Sequence, residues 1–180
     1  MPAPAPPPTR DVVVRDATAA DRPRVRALTL EAYAEYASVM APAAWALLDR
    51  AVRDALDAAW TAECIVAERG GALVGSVFLF PPASDAYRGL TAPPPRPELR
   101  LLAVAPAARG AGVGEALVRE CARRARAEGA AALGLHTSAS MAAARRMYAR
   151  LGFVREPEAD FRVDGAEVVE GYCLPLRDGP

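Results

Sequence analysis

Three glycines occupy alternate positions in the stretch RGAGVG, residues 109–114, between a strand-like and a helix-like segment. Glycine loses more conformational freedom on folding than any other residue, so such a stretch indicates backbone that must approach something closely. Amide N–H groups in a loop that opens a helix converge on one point, and the helix dipole favours an anion there. These residues predict an anion-binding loop. A glycine-rich turn that only starts a helix is the alternative interpretation.

Three known phosphate-binding patterns can be compared with this stretch. A P-loop needs Lys and then Ser or Thr after its last glycine, and here the next residues are Glu and Ala. A Rossmann fingerprint needs a third glycine three positions after the second, and neither possible reading has one. The pattern Arg-x-x-Gly-x-Gly between a strand and a helix is met by Arg109, Gly112 and Gly114.

The elements that must position this loop follow from hydrophobic periodicity and turn residues. The sequence predicts a strand at 12–15, a helix from the capping pair Thr18 and Asp21 to about Val39, a helix from Pro42, a hairpin over 62–80 around Gly70-Gly71, a proline-rich surface loop over 81–97, a strand at 98–104, a helix over 112–128, a strand at 132–137, a helix over 140–151, and strands near 153–158 and 167–174. This order favours an α/β (α+β) fold with a single mixed, mostly antiparallel sheet of about six or seven strands and helices on both faces.

Composition excludes several classes of protein. The chain of 180 residues is long enough for one domain, predicted over 11–176 after a Pro/Ala-rich flexible tail at 1–10. A formal net charge of zero gives no general attraction to nucleic acid or to an anionic membrane. Cys64, Cys121 and Cys173 are scattered and His136 is the only histidine, so we expect no metal site and reduced thiols in a cytoplasmic protein.

Two longer stretches carry a family resemblance. The segments ELRLLAVAPAARGAGVGEALVRECARRA and LHTSASMAAARRMYARLGF resemble motifs of the GNAT superfamily of N-acetyltransferases, and the order of elements extends the resemblance over roughly 11–176. The resemblance implies a GNAT-like acyl-CoA N-acyltransferase fold. It also implies acetyl transfer from acetyl-CoA to a primary amine by direct attack, without a metal.

The resemblance assigns the coenzyme contacts to backbone groups. The main chain at Leu102, Ala103 and Val104 would bind the pantetheine arm like an added strand, beside a bulge that separates this strand from the one at 132–137. The amides of the glycine loop would hold the pyrophosphate, with cofactor-binding positions Arg109, Gly110, Ala111, Gly112, Val113 and Gly114. Met141 stands where relatives often carry an asparagine that bonds the pantetheine, so one contact would be missing.

The resemblance also suggests two catalytic residues. Glu98 matches a carboxylate that accepts a proton from the acceptor ammonium, and Tyr148 matches a tyrosine near the coenzyme sulfur. An amine with a pKa of about 10.4 requires about 4.6 kcal/mol to lose its proton at pH 7. Protonating a thiolate of pKa about 8.5 at the same pH is favourable by only about 2 kcal/mol. The base should therefore matter more than the acid. The alternatives are a surface glutamate at a strand end and an aromatic residue packed on a helix face.

The acceptor side is less defined in the sequence. Tyr33 and Tyr36 on the first helix are candidates for substrate contact, and His136 is expected to be a hydrogen-bonded core histidine. The sequence does not distinguish a small-molecule amine from a peptide amine as the acceptor. It also leaves open whether the protein forms a homodimer. Two competing functions are an acyltransferase that uses a longer acyl-CoA and a non-catalytic acyl-CoA sensor.

Overall fold

The computed structural model describes residues 12–176. The tail predicted at 1–10 therefore lies outside the described residues. The helices are α1 (Arg22–Tyr33), α2 (Pro42–Ala58), α3 (Val113–Ala127) and α4 (Ala142–Arg150). The strands are β1 (Val12–Asp16), β2 (Glu63–Arg69), β3 (Ala72–Phe80), β4 (Glu98–Val104), β5 (Ala132–Thr137), β6 (Val154–Arg155), β7 (Phe161–Arg162) and β8 (Val168–Pro175).

These strands form one mixed sheet in the order β1-β2-β3-β4-β5-β8-β6, with β7 paired to β8. The pair β4–β5 is parallel and the other pairs are antiparallel, which confirms the predicted fold class. The sheet has eight strands because the segment expected as one strand at 153–158 ends at a 3-10 turn, Pro157–Ala159, and β7 follows it. Within 12–176 no helix is long and apolar enough to cross a membrane.

The first helical segment begins at the predicted capping pair. The backbone N–H and the hydroxyl of Thr18 lie 2.7 and 2.8 Å from the same carboxylate oxygen of Asp21. The α-helix ends earlier than predicted, at Tyr33, and the 3-10 turn Ala34–Ser38 continues it. At the end of α1 the backbone thus changes from α-helical to 3-10 hydrogen bonding.

Two apolar clusters pack on opposite faces of the sheet. Successive side chains of a strand point to opposite faces of the sheet, so neighbouring residues of β2 and β3 belong to different clusters. The helix α3 covers one face. The α3 cluster includes Ile65, Val77, Leu99, Leu117 and Cys121. The cluster under α1 and α2 includes Val25, Leu56, Val66, Phe78 and Leu101.

A bulge in β4 opens the middle of the sheet. Ser76 pairs with Ala103 and Phe78 pairs with Arg100, so β4 has one residue more than β3 over this interval. The extra length is accommodated at Leu101, whose φ of 54° lies in the left-handed region. Pairing with β5 is confined to residues 98 and 99 of β4. The two parallel strands separate beyond that point, as the resemblance implied.

The cores enclose two of the three thiols, and this generates a prediction on reactivity. Burial raises the pKa of Cys64 and of Cys121 to about 12, so at pH 8 only about one such thiol in ten thousand is ionised. We expect both to resist iodoacetamide in the folded protein, as judged by peptide mass spectrometry. Half-buried Cys173 is the internal comparison, and the urea-unfolded chain, in which all three cysteines react, is the control. Alkylation of Cys121 without unfolding would contradict this packing.

Candidate active site

A cavity of about 360 Å³ lies on the side of the sheet that carries α1 and α2. Its walls come from α1, α2, the 81–97 segment, the bulge of β4, the end of β5 and the β7–β8 hairpin. The lining is mainly apolar, with Leu47, Leu48, Val52, Leu101, Met141, Phe161 and Val163 among its members. Such a volume and lining suit a small organic ligand.

The glycine loop lies between β4 and α3. Gly110 and Gly112 have φ of 75° and 78°, which disfavour any residue with a side chain. A Cβ atom on Gly112 would have no protein atom within 4 Å, so the loop is open to a ligand at that point. The first amides of α3 lack intrahelical acceptors, as at any helix start, and are available to an anion.

A glycine is needed at position 114 for a different physical reason from the one predicted. The sequence interpretation gave it room for an anion, yet a Cβ atom there would lie 3.2 Å from the sulfur of Met147 and 3.5 Å from Val104. A side chain at this position would press tightly on Met147 of α4 and touch Val104 of β4, so the space beside Gly114 is occupied by protein. Gly114 therefore allows α3 to begin close to its neighbours, while its amide remains at the helix start.

Arg109 connects the loop to the end of α1. Its guanidinium forms an ion pair with Glu35 and donates a hydrogen bond of 3.2 Å to the carbonyl oxygen of Ala32. The sequence pattern gave no partner for this side chain. Its contacts fix the loop relative to the 3-10 turn that follows α1.

Glu98 is the buried centre of a polar cluster. It is 1% exposed, so the alternative of a surface glutamate is wrong. Its Oε1 accepts a hydrogen bond of 2.5 Å from the hydroxyl of Tyr87 and lies 2.6 Å from Nδ1 of His136. The other ring nitrogen of His136, Nε2, lies 2.9 Å from the carbonyl oxygen of Ala159. His136 is thus the hydrogen-bonded histidine that the sequence predicted.

These contacts determine how many protons the cluster holds. A backbone carbonyl only accepts hydrogen bonds, so Nε2 of His136 must carry a proton. The contact between Nδ1 and Oε1 of Glu98 needs a second proton, whichever of the two atoms holds it. The pair is therefore neutral overall and shares one proton. Tyr87 and His136 line the cavity, while Glu98 lies behind them.

Tyr87 was missed by sequence reasoning because it belongs to a proline-rich segment predicted only as a surface loop. Its ring packs edge-on against His136 and Phe161, with centroid distances of 4.9 and 5.1 Å. Burial is the main cause that raises the pKa of Tyr87 well above its ordinary value, and the Glu98 carboxyl adds to it. Tyr87 is therefore held as a neutral hydroxyl that donates to Glu98. A lone aromatic residue was its sole sequence signal.

Tyr148 is buried on α4 and packs against Phe153 at a centroid distance of 5.5 Å. Burial raises its pKa, and the nearby phenols of Tyr33 and Tyr36 raise it further. Its hydroxyl has no hydrogen-bond partner among the described residues. Tyr33 and Tyr36 of the first helical segment are thus close enough to affect the pKa of the predicted tyrosine, and Tyr33 also lines the cavity.

Two buried hydroxyl residues, Thr137 and Ser138, also line the cavity. Thr137, at the end of β5 where β4 and β5 separate, is 4% exposed, and its hydroxyl has no partner within residues 12–176. A buried hydroxyl without a partner is unfavourable by about 1–3 kcal/mol, which indicates a site for a polar ligand atom. The same described residues contain no group of three side chains that could hold a metal ion.

Sequence comparison identifies the family. The family model described as Acetyltransferase (GNAT) family matches residues 27–153, which is more than half of the chain. The chain belongs to the GNAT acetyltransferase family. This family region begins within α1, ends at Phe153 three residues after α4, and contains β4, the glycine loop and Tyr148.

Solved structures show the same GNAT fold. A GNAT-family protein from Desulfovibrio desulfuricans is 23% identical, with a TM-score of 0.62 over 93% of this chain and 100% of that one. A GNAT-family acetyltransferase from Streptococcus agalactiae is 16% identical, with a TM-score of 0.66 over 93% and 96%. One from Brucella melitensis, in complex with acetyl-CoA, is 22% identical, with a TM-score of 0.61 over 95% and 92%. No curated protein matches the chain significantly.

The glycine loop supports a binding prediction. Gly112→Val should abolish the binding of acetyl-CoA at submillimolar concentration, because the side chain would occupy the open space beside the helix start. Isothermal titration calorimetry measures this affinity.

Gly129→Val is the matched control. Gly129 lies just past the other end of α3, has a φ of 81°, and also has nothing within 4 Å of a Cβ. Both substitutions put a side chain in a left-handed conformation and should lower the free energy of unfolding by about 1–2 kcal/mol. Equal loss of affinity in both variants would show that strain, and not a blocked site, was responsible.

Proposed function

We propose that this protein transfers the acetyl group of acetyl-CoA to a primary amine by direct attack. The observation that supports it best is the separation of β4 from β5, with the open glycine loop near one end and the cavity at the other. Family membership supports acetyl transfer, and the Brucella melitensis relative binds acetyl-CoA.

The coenzyme would follow the free edge of β4. Past Leu99 this strand has β3 as its partner on one side and no β5 partner on the other, which leaves backbone groups of Leu102, Ala103 and Val104 for the pantetheine arm. The amides from Arg109 to Gly114 would hold the pyrophosphate. The thioester would then reach the point where Thr137, Tyr148 and the cavity meet.

The reaction requires the acceptor ammonium to lose two protons, one to a base and one that ends on the leaving sulfur. The acceptor ammonium gives a proton to the Glu98–His136 pair, through the hydroxyl of Tyr87 or a water molecule, and Glu98 is the proton acceptor in this scheme. The free amine attacks the thioester carbon, a C–N bond forms, and the tetrahedral intermediate collapses with cleavage of the C–S bond. The nitrogen's second proton passes to the leaving sulfur, directly or through a water molecule, so that coenzyme A leaves as the thiol.

Tyr148 would assist the leaving sulfur. Its raised pKa keeps the phenol protonated through the neutral range, so it can donate a hydrogen bond to the developing thiolate. Complete proton transfer to a thiolate of pKa about 8.5 would be uphill for such a weak acid. We therefore assign Tyr148 mainly a hydrogen-bonding role in the transition state. The buried Cys64 and Cys121 are unsuited to an acyl-enzyme because their pKa is raised to about 12.

A screen of amines with thiol release as the readout tests the proposal. It should compare acetyl-CoA with a longer acyl-CoA, and include amino acids, arylalkylamines, polyamines and peptides. Turnover with acetyl-CoA and at least one primary amine is expected, with the N-acetyl product identified by mass spectrometry. Tight coenzyme binding without acetylation of any amine would contradict an enzyme and favour a sensor. The domain limits 11–176 and a cytoplasmic location remain predictions.

Replacing Tyr148 by phenylalanine removes the hydroxyl and keeps the ring that packs on Phe153. We expect kcat to fall by up to some tens of fold, since a hydrogen bond to the developing thiolate contributes about 2 kcal/mol, while acetyl-CoA affinity changes little. The control is Tyr172→Phe, which removes a partly buried hydroxyl on β8 outside the cavity. Equal activity of Tyr148→Phe and the unmodified protein would exclude this role.

Glu98→Gln removes the proton acceptor at the centre of the cluster. Its defect in kcat/KM should be largest near neutral pH and should shrink as pH rises through the pKa of the amine, because more of the acceptor then arrives deprotonated. Rates are measured from pH 6.5 to 10. Glu120→Gln, on the outer side of α3, should show no such pH-dependent defect. A defect independent of pH would assign Glu98 a structural role only.

A further inference from the structure

Arg100 is the cavity residue whose charge the reaction above does not use. It lies at the bulge of β4, and the bulge places it and Leu101 side by side on the cavity wall. Among the described residues its guanidinium has no carboxylate within ion-pair distance, whereas Arg96, Arg109, Arg124 and Arg155 each have one. Its single hydrogen bond there goes to the carbonyl oxygen of Ala86.

Aromatic rings, and not an acid, surround this cation. The guanidinium carbon lies 3.8 Å from the ring centroid of Tyr87 and 5.7 Å from that of Phe80. Such stacking stabilises a cation without neutralising it, and guanidinium has five N–H donors. Most of these donors are therefore left for a ligand, and the planar group matches a carboxylate.

The other charged groups of the cavity are otherwise engaged or peripheral. Glu167 accepts hydrogen bonds from the hydroxyl and the backbone N–H of Ser140. Arg50 and Asp54 lie on exposed positions of α2, one helical turn apart. Arg100 is thus the half-buried charge beside the reacting groups, and within residues 12–176 no carboxylate forms an ion pair with it.

The position of Tyr87 between Arg100 and Glu98 limits the distance between the two groups that a ligand could present to them. Tyr87 contacts Arg100 with its ring face and Glu98 with its hydroxyl, so one phenol ring separates the cation from the proton acceptor. An amine directed to Glu98 and an anion directed to Arg100 would therefore lie only a few bonds apart in the acceptor. The apolar remainder of the cavity, from Leu48 to Val163, would enclose a hydrocarbon body.

We propose that the acceptor is an α-amino acid with an apolar side chain, whose carboxylate is bound by Arg100 and whose amino group is acetylated. This inference rests on the proposed N-acetyltransferase function. It assigns Arg100 as the specificity-determining residue of the acceptor site, and the walls contributed by α2 and the β7–β8 hairpin as the subsite for the side chain.

The test compares L-phenylalanine with phenethylamine, which lacks only the carboxylate. The unmodified protein should have a kcat/KM about tenfold or more higher for L-phenylalanine, because phenethylamine cannot form the charge-assisted bidentate contact with Arg100. L-Lysine and L-glutamate should be poorer than L-phenylalanine because their charged ends would enter apolar surroundings.

Arg100→Met should remove this preference. We expect kcat/KM for L-phenylalanine to fall about tenfold or more, mainly through KM, while the value for phenethylamine stays within about threefold. Arg100→Lys should retain part of the preference, because it keeps the charge but not the planar fork. Arg50→Met, an exposed arginine at the rim of the same cavity, is the control and should keep the full preference.

The outcomes separate the two proposals. A preference for phenethylamine in the unmodified protein, or a preference for L-phenylalanine that survives in Arg100→Met, would overturn the inference and leave amine acetylation intact. Acetyl-CoA binding without acetylation of any amine would overturn the proposed function itself. Acetyl-CoA affinity and thermal unfolding verify that Arg100→Met is folded, and if it is not, the substrate comparison in the unmodified protein decides.

Discussion

The left-handed backbone of Leu101 is the constraint on which the site depends. A single extra residue in β4 ends its pairing with β5 after residues 98 and 99, although the two strands remain in one sheet through those contacts. A regular strand would have closed the sheet and left no room between its halves. Left-handed backbone at a leucine costs about 1–2 kcal/mol, and the apolar cluster that contains Leu101 offsets this cost.

The bulge also changes which side chains meet. In a regular strand Arg100 and Leu101 would point to opposite faces, yet both line the cavity. Glu98 lies on the paired part of β4, two residues earlier, and the 81–97 segment brings Tyr87 over it. One local irregularity therefore produces the gap between β4 and β5 and the polar end of the cavity together.

How much the sequence predicted depends on how local each feature is. The capping of the first helical segment by Thr18 and Asp21, the β2–β3 hairpin and the glycine loop rest on backbone preferences of adjacent residues, and the structure has each of them. The Tyr87–Glu98–His136 cluster joins three separate segments, and no spacing rule connects a residue of a proline-rich loop to a strand end. The partner of Arg109 and the packing reason for Gly114 were missed for the same cause, since both depend on neighbours distant in the chain.

The shared proton of Glu98 and His136 has an electrostatic consequence. Because that pair is neutral in either arrangement, a shift of the proton between Nδ1 and Oε1 changes no net charge. The pair can therefore be buried without a counter-ion, which a lone ionised carboxylate in these surroundings would require. The hydroxyl of Tyr87, the carboxyl of Glu98 and the imidazole of His136 thus form one continuous chain of hydrogen bonds that runs from the cavity wall to the carbonyl oxygen of Ala159.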